Sequence, residues 1–180
     1  MTCEGLDPST MLGKVPSLPR GPWFRGQEIT YPVKTPLRFA LNPAYPGELL
    51  PLYEASAPLM REDLLAALHS SGVDNLQLFE AILKDPKKKV EYTNYKAVNI
   101  IGRVAAADLA NSTVMNLPSP ELFGQTFDAL AIDEKKAGGL LLFRLNESAS
   151  AIVVHERVRK GIEAAEVPGM TFYASGEWSG

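Results

Sequence analysis

Two histidines, a single cysteine and scattered carboxylates are the side chains with chemistry to offer in this chain. A metal site needs three or four converging ligands, and neither His69 nor His155 has partners at such spacing. The run His155-Glu156-Arg157-Val158-Arg159 opens like a zinc-protease helix but lacks the second histidine. Cys3 stands beside Glu4, an acidic neighbour that disfavours the thiolate needed for nucleophilic attack. Asp108, Asp128 and Asp133 could work as acid and base only if the fold brought two of them together. There is no Gly-x-Ser-x-Gly elbow, no phosphate-binding loop and no dinucleotide fingerprint. The lysines of Lys84-Asp85-Pro86-Lys87-Lys88-Lys89 could meet phosphates or form the solvated tip of a hairpin. Trp23 could anchor a partner or plug the edge of a core. These types and spacings predict no catalyst, no metal and no cofactor, and turn attention to binding.

The element that must position such groups is the stretch Val90–Val104, VEYTNYKAVNIIGRV. Its second half carries β-branched residues on both faces, as a strand buried on two sides does. Within it Asn99 needs hydrogen-bond partners if buried, and Gly102 predicts a bulge or a close backbone approach. Upstream, Arg61–His69 places Leu64, Leu65 and Leu68 on one helical face, with acids in the first turn and Gly72 to end it. Asn75–Leu83 then reads as a strand and Lys84–Lys89 as a turn. Short extended pieces cover 23–41, and the proline-rich 42–58 reads as a loop.

After Val104, Ala105–Ala110 reads as a short helix or turn, and 111–126 as a long irregular segment. Phe127–Ile132, Leu140–Leu145 and Ile152–Val154 read as strands, His155–Ala165 as a helix and Met170–Ala174 as a last strand, with a loose tail at 175–180. Together these predict an α+β chain with a mixed sheet.

The chain repeats itself. At a fixed offset of 94 residues, 59–79 overlies 153–173 without a gap: Met60 meets Val154, Leu64 meets Val158, Leu68 meets Ile162 and Val73 meets Val167. Each copy reads as strand, helix, strand, which predicts two related lobes, at about 23–89 and 90–180, after a loose lead-in at 1–22. At 180 residues and 46% hydrophobic content the chain is long enough for one domain. The net charge of −3 argues against a general nucleic-acid binder. No apolar run long enough to span a bilayer, no secretory start and a lone cysteine together predict a cytoplasmic protein without membrane association.

The run Tyr95–Val104, then Asp108, Phe143-Arg144-Leu145, Ile152-Val153-Val154 with its helix, and Gly169-Met170-Thr171-Phe172 resembles the Imm11 family of bacterial immunity proteins. The likeness extends more weakly to Trp23-Phe24-Arg25-Gly26 and Pro58-Leu59-Met60. One departure is that Arg61 and His155 precede the two helices where a small capping residue such as Ser is expected.

The resemblance implies an antitoxin without catalysis or cofactor. It would be made beside a secreted polymorphic toxin, often one delivered by a contact-dependent or type VI system, and would neutralise that toxin by tight protein–protein docking. An acidic inhibitor would be steered to a basic toxin such as a nuclease. The irregular segment 111–126, with Glu121, Leu122 and Phe123, is then the first place to look for the contact, and Arg103 and Asp108 the second. A small-molecule or regulatory binding module is the alternative, and an enzyme built on scattered carboxylates a further one.

Overall fold

In the computed structural model, which describes residues 2–3, 12–14, 16, 22–45, 47–115 and 125–180, the stretch Val90–Val104 folds as two strands rather than one. Strand β7 (Val90–Ile100) ends where Gly102 takes φ +126°, a backbone state that L side chains rarely adopt, and β8 (Arg103–Val104) continues in another sheet. The break lets one stretch of chain serve two sheets.

The first sheet has six strands in the order β2-β3-β6-β7-β5-β4: Leu12–Lys14, Leu37–Leu41, Leu76–Asp85, β7, Leu59–Arg61 and Leu52–Tyr53. β3 and β6 run parallel and the other neighbours antiparallel, so the sheet is mixed, and it curls into a half-barrel. Ala97–Ile100 is buried throughout, as a strand covered on both faces requires. The second sheet joins β12 (Ile152–Val154), β11 (Leu142–Leu145) and β8. Two small ladders pair β1 (Thr2–Cys3) with β13 (Met170–Thr171), and β9 (Thr113–Val114) with β10 (Phe127–Ala129).

The repeat is real in three dimensions. Helix α1 (Glu62–Ser70) follows β5 and precedes β6, and α2 (Glu156–Ala164) follows β12 and precedes β13, so the helices keep the 94-residue offset at both ends. Equivalent residues share one core: Met60, Leu64, Leu68 and Val73 pack with Val154, Val158, Ile162 and Val167. Neither helix starts on a small polar cap. Asp63, inside the first turn of α1, accepts from the Leu64 N–H at 2.8 Å, and the His155 Nδ1 accepts from the Arg157 N–H at 3.1 Å.

Two other cores complete the molecule. One fills the inner face of the six-stranded sheet with Trp23, Phe39, Leu59, Leu83 and Tyr95. The other gathers Phe127, Leu130, Phe143 and Leu145. The C-terminal tail is pinned to this last core rather than loose: Gly180 and Phe127 exchange backbone hydrogen bonds at 2.8 and 2.9 Å, and Trp178 bridges Leu130.

Candidate functional site

The two sheets meet at Gly102, and there the N-terminal arm 22–30 is tied down. The Gly102 N–H donates to the Gly26 carbonyl at 2.8 Å, and a Cβ on Gly26 would lie 2.5 Å from that of Arg103. Glycine is therefore required on the arm for this approach. The Gln77 side chain brackets Ile29, accepting from its N–H and donating to its carbonyl, both at 2.9 Å. Asn99 Nδ2 donates to the Gln27 carbonyl at 2.8 Å and to Gln77 Oε1 at 3.1 Å, so the polar residue of the central strand is an arm clamp.

Arg144, with 0% of its side chain exposed, locks the same arm from below. It donates to both Glu54 oxygens at 3.2 Å and to the Ala149 carbonyl at 2.6 Å, and its guanidinium lies 4.5 Å from the centroid of the Phe24 ring. Trp23 beside it is buried edge-on to Phe79, a core plug rather than an exposed anchor.

Arg103 is half-buried and donates to the Asn146 carbonyl at 2.8 Å. Burial pulls its pKa down and the nearby Arg144 charge adds to this, while Glu147 opposes. Asp108 does different work. Its carboxylate accepts from the Asn111 side-chain amide at 2.7 Å and from the Asn111 N–H at 3.3 Å, and the side-chain bond is the main cause of a pKa below the usual carboxylate range. Ser112 Oγ donates to the Asp108 carbonyl at 2.7 Å and accepts from the Ala131 N–H at 2.9 Å. The result is a braced turn.

On this turn and just past β9, Leu109 is 42% and Met115 65% exposed, two of the large apolar side chains that the described residues leave outside. Among the described residues Arg103 and Asp108 are held by different partners, the Asn146 carbonyl and Asn111. Glu121, Leu122 and Phe123 lie outside the described residues. Leu109 and Met115 escape a reading of the sequence because exposure depends on where the turn is braced. A large apolar residue directly after a turn-capping aspartate was the available signal.

The carboxylates do not assemble. Asp133 accepts from the Lys135 N–H at 3.1 Å and caps a short turn, Asp128 is exposed, and Asp108 is engaged as described. Among the described residues no group of three or more His, Cys, Asp or Glu could hold a metal ion. No helix among them is long and apolar enough to cross a membrane.

The profile of the immunity protein family Imm11 matches residues 19–177, nearly the whole chain. The chain belongs to the Imm11 immunity protein family. The matched residues take in the clamped arm, both strand–helix–strand copies and the braced turn. Membership implies a toxin as partner. Curated protein sequences include no significant match to the chain.

Proposed function

We propose that this Imm11 chain is a non-catalytic antitoxin that neutralises its cognate toxin by direct, tight binding in the cytoplasm. The observation that carries the reading is the family match over 19–177. Residues 23–180 act as one immunity domain, with the lead-in 1–22 before it. The docking surface we propose is the segment 111–126, with Glu121, Leu122 and Phe123 as its anchors and Arg103 and Asp108 as secondary contacts. The exposure of Leu109 and Met115 on the adjoining turn supports this placement, since large apolar side chains at the centre of a contact carry much of its energy. The net charge of −3 suits a basic toxin such as a nuclease. We propose too that this toxin is delivered by a type VI or other polymorphic-toxin system, a reading for which family membership is the sole support.

Two surface recesses, at Tyr45 and at Tyr31, measure about 140 and 170 Å³. Both fall below the roughly 300 Å³ at which small-molecule pockets begin, so neither of these two recesses supports the ligand-module alternative. The test is co-expression with the toxin encoded beside this gene, reading growth and complex formation. Rescue with a stoichiometric complex supports the reading, and alanine at Leu109, Met115, Leu122 and Phe123 is expected to abolish both. Rescue without a complex, or a complex untouched by those changes, overturns the mechanism or the surface respectively.

A further inference from the structure

The β6–β7 hairpin ends in a cationic recess that the toxin-docking reading does not use. Four lysines and one aspartate fall within Lys84–Lys89. Asp85 is buried and accepts from the Lys87 and Lys88 N–H groups at 2.9 Å, so most of its hydrogen-bonding capacity is spent on shaping the turn, although it borders the recess. Glu91, opposite Lys84 in the ladder, is taken by Arg38 at 3.2 Å. The register adds a further cation, because Ala40 pairs with both Lys14 and Lys84. Among the described residues Lys14, Lys84, Lys87 and Lys89 form no ion pair, and Lys88 has only Asp85 at 3.9 Å.

Since β3 runs parallel to β6, the turn after Leu41 lies beside this tip. Leu41, Asn42, Tyr45 and Gly47 on one side and Asp85, Lys87 and Lys88 on the other line the recess of about 140 Å³ between them. Both walls are braced: the Asn42 side chain accepts from the Ala44 N–H at 3.0 Å on one side, and Asp85 holds the other. Lys89 stands at φ +57°, where glycine would be the relaxed choice, and keeps a charge there instead.

We propose that this hairpin tip is a second docking site, which takes an acidic peptide segment of a partner protein with a carboxylate seated between Lys87, Lys88 and Tyr45. An ammonium pair and a phenol hydroxyl are donors that match a carboxylate's acceptors. An acidic protein segment is favoured over nucleic acid. A polyanion is repelled by a chain of net charge −3, whereas one short acidic segment feels mainly the local lysines. The site is independent of the surface at 111–126.

The experiment measures binding of a labelled alternating Asp-Glu peptide, of about eight residues, to the full chain at low and at physiological salt, with amide NMR shifts to locate it. Long single-stranded DNA, a polyanion that the net negative chain repels as a whole, is the comparison. Peptide binding with shifts confined to 40–47 and 84–91, weakened about tenfold or more by Lys87→Glu/Lys88→Glu, is the expected result. Both lysines are exposed, so the double variant keeps its thermal midpoint. Equal affinity in the variant, shifts elsewhere, or DNA binding as tight as the peptide's would each overturn the site. Toxin rescue by the same variant is unchanged, which separates this proposal from the antitoxin reading.

Discussion

Replacing Gly161 by alanine tests the packing of the repeat. Gly161 lies inside α2 at the position equivalent to Ala67 of α1, and a Cβ there would stand 1.9 Å from Ser71 Oγ and 3.2 Å from Ser71 Cβ. Alanine in a helix interior should gain about 1 kcal/mol over glycine. Against this, Ser71 is buried and its hydroxyl donates to the Ala67 carbonyl at 2.8 Å. Rotating it away loses about 1 kcal/mol of hydrogen bond and leaves a buried hydroxyl unsatisfied at a further 1–3 kcal/mol. The balance is a net loss of roughly 1–3 kcal/mol for Gly161→Ala. In a Ser71→Gly background both close contacts vanish, so the same change should be neutral or stabilising by up to about 1 kcal/mol. Urea unfolding of the four proteins reads the cycle directly. An equal effect of Gly161→Ala in both backgrounds would refute the reasoning, because the two helices would then not meet at Ser71 and Gly161.

Glu54→Gln leaves the fully buried Arg144 without its anion and should cost about 2–3 kcal/mol in urea unfolding, with much of it recovered by adding Arg144→Met; additive losses would contradict a paired role. His155→Ala removes the acceptor at the start of α2 and should cost about 1 kcal/mol, while His155→Asn should be near neutral; equal losses would mean the imidazole does not cap. Asp63 has its pKa lowered chiefly by the Arg61 hydrogen bond, against partial burial, with the Leu64 N–H also lowering it. A depressed folded-state pKa stabilises above the ordinary value of 3.8 and is lost as pH falls through the folded value, so parent and Asp63→Asn should converge in acid. A gap in their thermal midpoints that persists unchanged from neutral pH to strong acid would show that Asp63 is not linked to folding.

How much of this was legible beforehand varies by element. Leu64, Leu65 and Leu68, spaced for one helical face and followed by Gly72, mark α1 within a residue of its observed ends. The offset of 94 residues anticipated that α2 and β13 would repeat α1 and β6, because periodicity belongs to the chain itself. Gly102 signalled a close backbone approach, and Gly26 is what it approaches. The exchange of β7 for β8 between sheets was not legible, since a run of β-branched residues reads alike whichever sheet receives it. Nor was the pinned tail, whose hydrogen bonds go to Phe127 and Leu130, far away in sequence.

The candidate surfaces divide in the same way. Spacing and composition alone determined the helices, the long hairpin, the two-copy pattern and the want of a catalytic motif, because those follow from local propensity and period. Tertiary structure alone decided that Asp108 braces a turn under Leu109, that Arg144 meets Glu54 and Phe24, and that Asn42 and Tyr45 face the lysine tip. Each of these is a contact between distant segments. It depends on the register in which strands pair and on which side chains the cores leave outside, and no local window of sequence carries either.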